Sequence, residues 1–130
     1  MASRSKGVTG RKLIELLECR LDNVIFRALF ASSREQARQL VQHGFVFVGG
    51  RRVSIPSFVV RQNQVIELRG KDSFRQQIKA VIEQNSKERS APTWMRVDNA
   101  KYTITIVRVP EKEDLPIALD EQLVVELYSK

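Results

Sequence analysis

Apolar residues in the first third of the chain recur at three- and four-residue spacings. Leu13, Ile14, Leu17, Leu21, Val24, Ile25 and Leu29 fall on one helical stripe that begins near Arg11. Two readings of this stripe are open. It is one continuous helix through 11–30, or two helices with a break near 19–22, where Asp22 and Asn23 are good capping residues. The next start signal is stronger. Ser32-Ser33-Arg34-Glu35-Gln36 holds two overlapping capping boxes, Ser32 with Glu35 and Ser33 with Gln36. Ala37, Leu40 and Val41 then make a short apolar stripe. His43-Gly44 ends it, with the glycine free to turn left-handed after a helix. The pattern predicts a helix over 33–43 whose other face presents Arg34, Arg38, Gln39 and His43.

At Phe45 the period changes. Residues 45–48 form a β run, Gly49-Gly50 a hairpin turn, and 51–55 a return strand that Pro56 breaks. Residues 58–60 read as extended, 61–64 as a polar turn and 65–68 as a further strand, punctuated by Gly70. A polar helix follows over about 72–85, with Phe74, Ile78, Val81 and Ile82 on its buried face. Residues 85–93 are a linker by composition. Trp94 heads a short segment, and 103–109 alternates like a strand up to Pro110. An acidic turn occupies 111–114. The tail at 120–128 has β propensity, but an Asp cap and an acidic first turn favour a helix. Residues 1–10, rich in Ser, Gly and basic side chains, read as a flexible arm able to order on a phosphate surface. Cys19 reads as a small buried apolar residue, and Trp94 and Tyr128 as packing residues.

Charge adds a direction to this pattern. The 130 residues suit one domain, and 42% hydrophobic content is enough for a core. The net charge is +7. Residues 1–65 hold 11 basic and 4 acidic side chains, whereas 66–130 hold 11 of each, so the whole excess lies in the first half. A strongly basic half beside a neutral one suggests a polyanion footprint. One His and one Cys exclude a zinc site of the usual kind. No stretch approaches the ~20 apolar residues of a membrane span, and the basic start has no apolar core of a secretory signal. A cytosolic or organellar-matrix setting fits a single thiol.

The basic residues gather in one compact unit, residues 20–68. Arg34, Arg38, Gln39 and His43 lie on or near one helix face. Arg51 and Arg52 follow the Gly turn at a protruding tip. Arginine grips phosphate with a planar fork, and Gln can reach sugars or base edges. Free N–H groups at the helix start near Ser32 to Arg34 add a phosphate site. A helix face beside a basic hairpin makes a two-sided cleft about the width of an RNA backbone.

Three strings, Arg20-Leu21-Asp22-Asn23-Val24, Ser33-Arg34-Glu35-Gln36-Ala37-Arg38-Gln39-Leu40-Val41-Gln42-His43-Gly44 and Gly50-Arg51-Arg52-Val53-Ser54-Ile55-Pro56-Ser57, resemble the RNA-binding module named after the fourth small-subunit ribosomal protein. Lys6-Gly7-Val8-Thr9-Gly10, Pro92-Thr93-Trp94, Leu115-Pro116 and the ending Leu123-Val124-Val125-Glu126-Leu127-Tyr128-Ser129-Lys130 extend the resemblance to bacterial and chloroplast versions of that ribosomal protein. The fold class implied is α+β: two helices packed on a small antiparallel hairpin sheet, plus a helical and strand carboxyl-terminal extension. The division expected is 1–19 as basic arm and first helix, 20–68 as RNA-binding module and 69–130 as the extension that completes the fold.

The resemblance further implies a structural constituent of the small ribosomal subunit. It would bind small-subunit rRNA at a five-way junction in the 5′ domain, early in assembly and beside the fifth small-subunit protein. Arg20, Arg34, Arg38, Gln39, His43, Arg51, Arg52 and Ser57 would face RNA. Some family members repress their own mRNA, which would use the same surface. Members normally have an amino-terminal helical segment before the point where Met1-Ala2-Ser3 stands here, so RNA contacts from that segment are expected to be missing. A free RNA-binding factor built on the same module is the alternative. No cofactor, membrane or small-molecule substrate is expected. Enzyme function is not expected either: residues 69–130 contain no His or Cys, and the chain has no nucleotide-binding Gly loop. On this reading Lys87 and Arg89 lie outside the footprint.

Overall fold

The computed structural model describes residues 14–110. The arm expected at 1–10, the acidic turn at 111–114, the helix expected at 120–128 and Tyr128 lie outside the described residues. Residues 14–18 are helical, and the amino-terminal stripe is interrupted at Cys19 and Arg20. The second of the two open readings therefore holds. The break has a partner. Val60 N–H donates to the Cys19 carbonyl, and Leu21 N–H donates to the Phe58 carbonyl. A backbone committed to this extended pairing cannot also continue the helical ladder. Helix α1 (Leu21–Arg27) starts beyond it with Arg20, not Asp22 or Asn23, at its cap position.

Helix α2 (Arg34–Gln42) is capped by Ser33, whose hydroxyl accepts the Gln36 N–H. The Gln36 side-chain oxygen reaches back to the Ser32 N–H at 2.6 Å. Of the two overlapping boxes, Ser33 with Gln36 is the pair engaged, with the return bond shifted one residue back from the cap to Ser32. The helix ends in a Schellman motif: Gly44, at φ +85°, donates its N–H to the Val41 carbonyl, and Phe45 donates to Leu40. Ala37 and Val41 are buried, and α1 packs on α2.

Strand β1 (Val46–Val48) pairs with β2 (Arg51–Arg52) through Gly49 and Gly50, both at positive φ as a two-residue primed turn requires. The return strand is shorter than the 51–55 expected. Val53 N–H still bonds to Val46, but the chain then leaves the sheet so that the Pro56 carbonyl can accept the Asp22 N–H at the start of α1. Strand β3 (Val65–Leu68) flanks β1 on its other side. Helix α3 (Asp72–Ser86) buries Ile78, Ile82 and Asn85.

Two more strands, β4 (Met95–Asp98) and β5 (Thr103–Ile106), complete one antiparallel sheet in the order β2-β1-β3-β5-β4. The fold class is α+β. The hairpin sheet expected for residues 20–68 is thus one end of a wider sheet that residues 95–106 finish, and β4 was not legible beforehand. One core runs beneath it. Leu21, Val24, Ile25, Phe30, Val41, Val46, Ile66, Trp94, Ile104 and Ile106 are all fully buried in it.

Candidate nucleic-acid interface

The exposed side of α2 presents Arg34, Arg38, Gln39 and His43. His43 is also the residue at which the helix ends. The two ends of α2 are tied to the other candidate residues in different ways.

At the amino-terminal end, Arg34 Nε donates to Asn23 Oδ1 at 3.0 Å, and its guanidinium lies 4.7 Å from the centre of the Phe26 ring. Asn23 is itself held. Its amide donates to the Glu18 carbonyl, and its backbone N–H donates to Asp22. Asp22 in turn accepts both Nε and Nη2 of Arg20, at 3.2 and 3.0 Å. Arg20 and Arg34 are therefore two ends of one network through Asp22 and Asn23. Ser57 sits exposed in the turn between Pro56 and Phe58, the segment whose carbonyls accept from the first residues of α1. It joins Arg20 at this corner.

At the carboxyl-terminal end, the hairpin comes alongside. A Cβ at Gly44 would lie 3.6 Å from Arg52 Cδ and Nε, so the Arg52 side chain runs past the end of α2. Register and alternation then separate two residues that the sequence groups together. Arg52 pairs with Phe47 and Arg51 with Val48, so they point to opposite faces of the ladder. Arg52 lies 5.4 Å from the Phe47 ring, and Arg69 covers the same ring at 4.2 Å while ion-pairing with Glu67 at 2.7 Å. Arg51 shares the side of Val48 but remains exposed at the edge. The structure thus places Arg34, Arg38, Gln39 and His43 on α2, Arg20 linked to its start through Asp22 and Asn23 and Arg52 against its end, sets Ser57 in the turn at the start of α1, and turns Arg51 away from Arg52.

Arg27 and Asn85 around this surface went unmarked in the sequence, and Arg89 was expected to lie outside the footprint. Arg27 pairs with the buried Glu18 at 3.2 Å. Asn85 donates from its side-chain amide to the carbonyls of Leu29 and Ala31, and its oxygen faces the Ser32 hydroxyl at 3.4 Å. Arg89 donates to the carbonyls of Phe26 and Ala31, both at 2.7 Å, and its guanidinium lies 4.0 Å from the Phe26 ring centre. The segment read as a linker thus locks the turn between α1 and α2, where Leu29 takes a positive φ of 75°. A signal was present. Ile78, Ile82, Asn85 and Arg89 are spaced four, three and four apart, the repeat of a single helix face.

Burial holds the Arg34 guanidinium below its ordinary pKa, and the Arg27 charge adds to the effect. Arg89 is lowered in the same way, by burial first and then by Arg27 and Arg34. Both stay charged at neutral pH, so the surface keeps two partly desolvated cations. Among the described residues no group of three or more His, Cys, Asp or Glu could hold a metal, and no helix is long and apolar enough to cross a membrane.

Residues 19–66 match the family model of the S4 domain. Over 129 residues, 99% of the chain, the sequence is 44% identical to small ribosomal subunit protein uS4 of Borrelia recurrentis (strain A1). It is 45% identical to uS4 of Borrelia hermsii (strain HS1 / DAH) and 43% to that of Borrelia duttonii (strain Ly), over the same span. In each case the chain spans 62% of the relative's length.

Proposed function

From a chain that carries an S4 domain and is similar to uS4 along nearly its whole length, we propose a structural, non-enzymatic protein of the small ribosomal subunit that binds small-subunit rRNA. Its RNA surface is the exposed side of α2, extended by Arg20 and Ser57 at one end and by Arg52 at the other, with Arg51 reaching a neighbouring strand of RNA from the hairpin tip. The observation that supports this best is the continuity of that surface. Exposed basic and amide side chains line α2, and the hairpin sets a further guanidinium against its end.

The target is a folded multi-helix junction in the 5′ domain, bound early in assembly with the fifth small-subunit protein as neighbour. Shape and 2′-hydroxyl contacts supply the specificity, because A-form major grooves are too narrow for side chains to read. Phosphate contacts supply the affinity. With about six of them, binding falls roughly a thousandfold between 50 and 200 mM salt. An mRNA bound by the same surface would compete with the rRNA. The module is residues 20–68, and residues 69–130 complete the fold around it.

Arg34→Ala combined with Arg38→Ala tests the surface. The double variant should keep its fold by circular dichroism, bind a 5′-domain transcript more weakly and lose about two phosphate contacts' worth of salt slope. Unchanged affinity with an unchanged slope removes the assigned face. Crosslinking in cells places the protein: RNA confined to one rRNA junction supports a ribosomal constituent. A chain that leaves purified subunits in a high-salt wash is a free factor instead.

A further inference from the structure

We propose that Arg34 and Arg89, gathered on the ring of Phe26, form a seat for a single RNA phosphate. The RNA footprint then extends to the segment that follows α3, beyond the S4 domain. This rests on the RNA-binding reading above and adds to it a residue, Arg89, that lies beyond the matched segment 19–66.

Among the described residues, three arginines lie close to this ring. Arg89, Arg34 and Arg27 have their guanidinium carbons 4.0, 4.7 and 5.9 Å from its centre. Their charge balance differs. Arg27 is neutralised by Glu18, which is almost wholly buried, and Asp22 is taken by Arg20. Among the described residues Arg34 and Arg89 have no carboxylate within ion-pair distance. Arg34 meets only the neutral amide oxygen of Asn23, and Arg89 only backbone carbonyls. Glu88, next to Arg89 in the chain, is exposed and attracts it only at longer range.

Like charges brought together and partly desolvated repel; Glu18 and Asp22 attract Arg34 from beyond ion-pair distance, but both are already engaged by Arg27 and Arg20, so no carboxylate among the described residues pairs directly with Arg34 or Arg89. Each guanidinium has five N–H donors. The bonds seen use one on Arg34 and two on Arg89, leaving the others for an oxyanion. Orientation is supplied in advance. Asn23 and the ring fix Arg34, while two carbonyls and the same ring fix Arg89, so little side-chain freedom remains to be lost on binding. Neutral side chains would serve if the only task were to hold the turn. Asn85 already does so, with hydrogen bonds to Leu29 and Ala31.

A clamp and a phosphate seat make different predictions for salt dependence. The 130-residue protein is bound to a 5′-domain rRNA transcript at 50–200 mM KCl, comparing wild type with Arg89→Gln, Arg89→Lys and Lys79→Gln, the last an exposed cation on α3. A seat predicts that Arg89→Gln weakens binding roughly tenfold and removes about 0.9 from the salt slope. Lysine should restore the slope but not the affinity, because it keeps the charge and loses the fork. Lys79→Gln should change neither. An Arg89→Gln protein that is folded and keeps the full slope makes Arg89 a clamp and overturns the seat, while the RNA reading stands. A wild-type protein that fails to retain the transcript overturns both.

Should Arg89→Gln not fold, the wild-type protein decides the matter through the side-chain Nε–H resonances of its arginines, titrated with inorganic phosphate. Arg34 and Arg89 shifting together with one dissociation constant supports the seat. Independent shifts, or none, overturn it.

Discussion

Cys19 is 1% exposed, and burial, reinforced by the carboxylates of Glu15 and Glu18, pushes its thiol up to about 12. The thiolate is the reactive form, so a thiol reagent at pH 8 should label Cys19 only as fast as the protein unfolds. Rapid labelling of folded protein would contradict the burial. Linkage gives a second readout. Between the ordinary thiol value and about 12 the native state holds a proton that the unfolded state has lost, so this group's contribution to stability is intact below about pH 9 and declines above it. Denaturant midpoints measured from pH 7 to 11 should fall in wild type more steeply than in Cys19→Ala. The same attention to partners alters how the arginines read. Arg20 and Arg34 stand on the expected surface, yet each is already held, by Asp22 and by Asn23 with Phe26. Residue type was enough to nominate them, and only their neighbours show that they are fixed in place.

Among the elements, α2 was the most legible. Its cap bond, its stripe and its glycine turn each depend on residues no more than five apart, and the helix forms within one residue of the expected bounds. The Gly49-Gly50 turn was equally local. Strand β4 lacked such a signal, since Met95-Arg96-Val97-Asp98 is two alternations long and becomes a strand by pairing with β5. Gly70 shows how a packing requirement escapes a reading of turn chemistry. It marks a break as expected, but its φ is not in the left-handed region, and the reason for glycine there is space. A Cβ would collide with the ring of Phe74, which stacks on Phe45 at 4.2 Å. Gly70→Ala should therefore cost about 1–3 kcal/mol by overpacking, measured as a lowered urea midpoint with an unchanged m-value. A second change, Phe74→Leu, should recover part of the loss, and no recovery would place the cost in the backbone instead.

The whole molecule is joined by its sheet. Cutting after residue 68 separates β3 from β5, and with it Ile66 from Ile104 across the sheet. A fragment ending at residue 68 also loses Trp94, Asn85 and Arg89 from around the core and the α1–α2 turn. It should not fold alone. Its amide spectrum should be collapsed or broad, whereas a fragment that includes residues 69–110 should give dispersed signals. A well-dispersed spectrum from residues 14–68 would make the module independent. The two halves therefore play unequal but joined parts, with the excess charge in the first and much of the bracing in the second. By itself the sequence determined the capped helix, the Gly hairpin and the basic first half, because each depends on residues a few positions apart or on summed charge. The tertiary structure alone decided that Arg51 and Arg52 part, that the sheet is five strands wide among the described residues and that Asn85 and Arg89 reach back across 56 and 63 residues to the turn beside Phe26. Contacts over such separations arise when helix and strand faces pack to bury one core, and no local pattern encodes which distant polar group will meet which carbonyl.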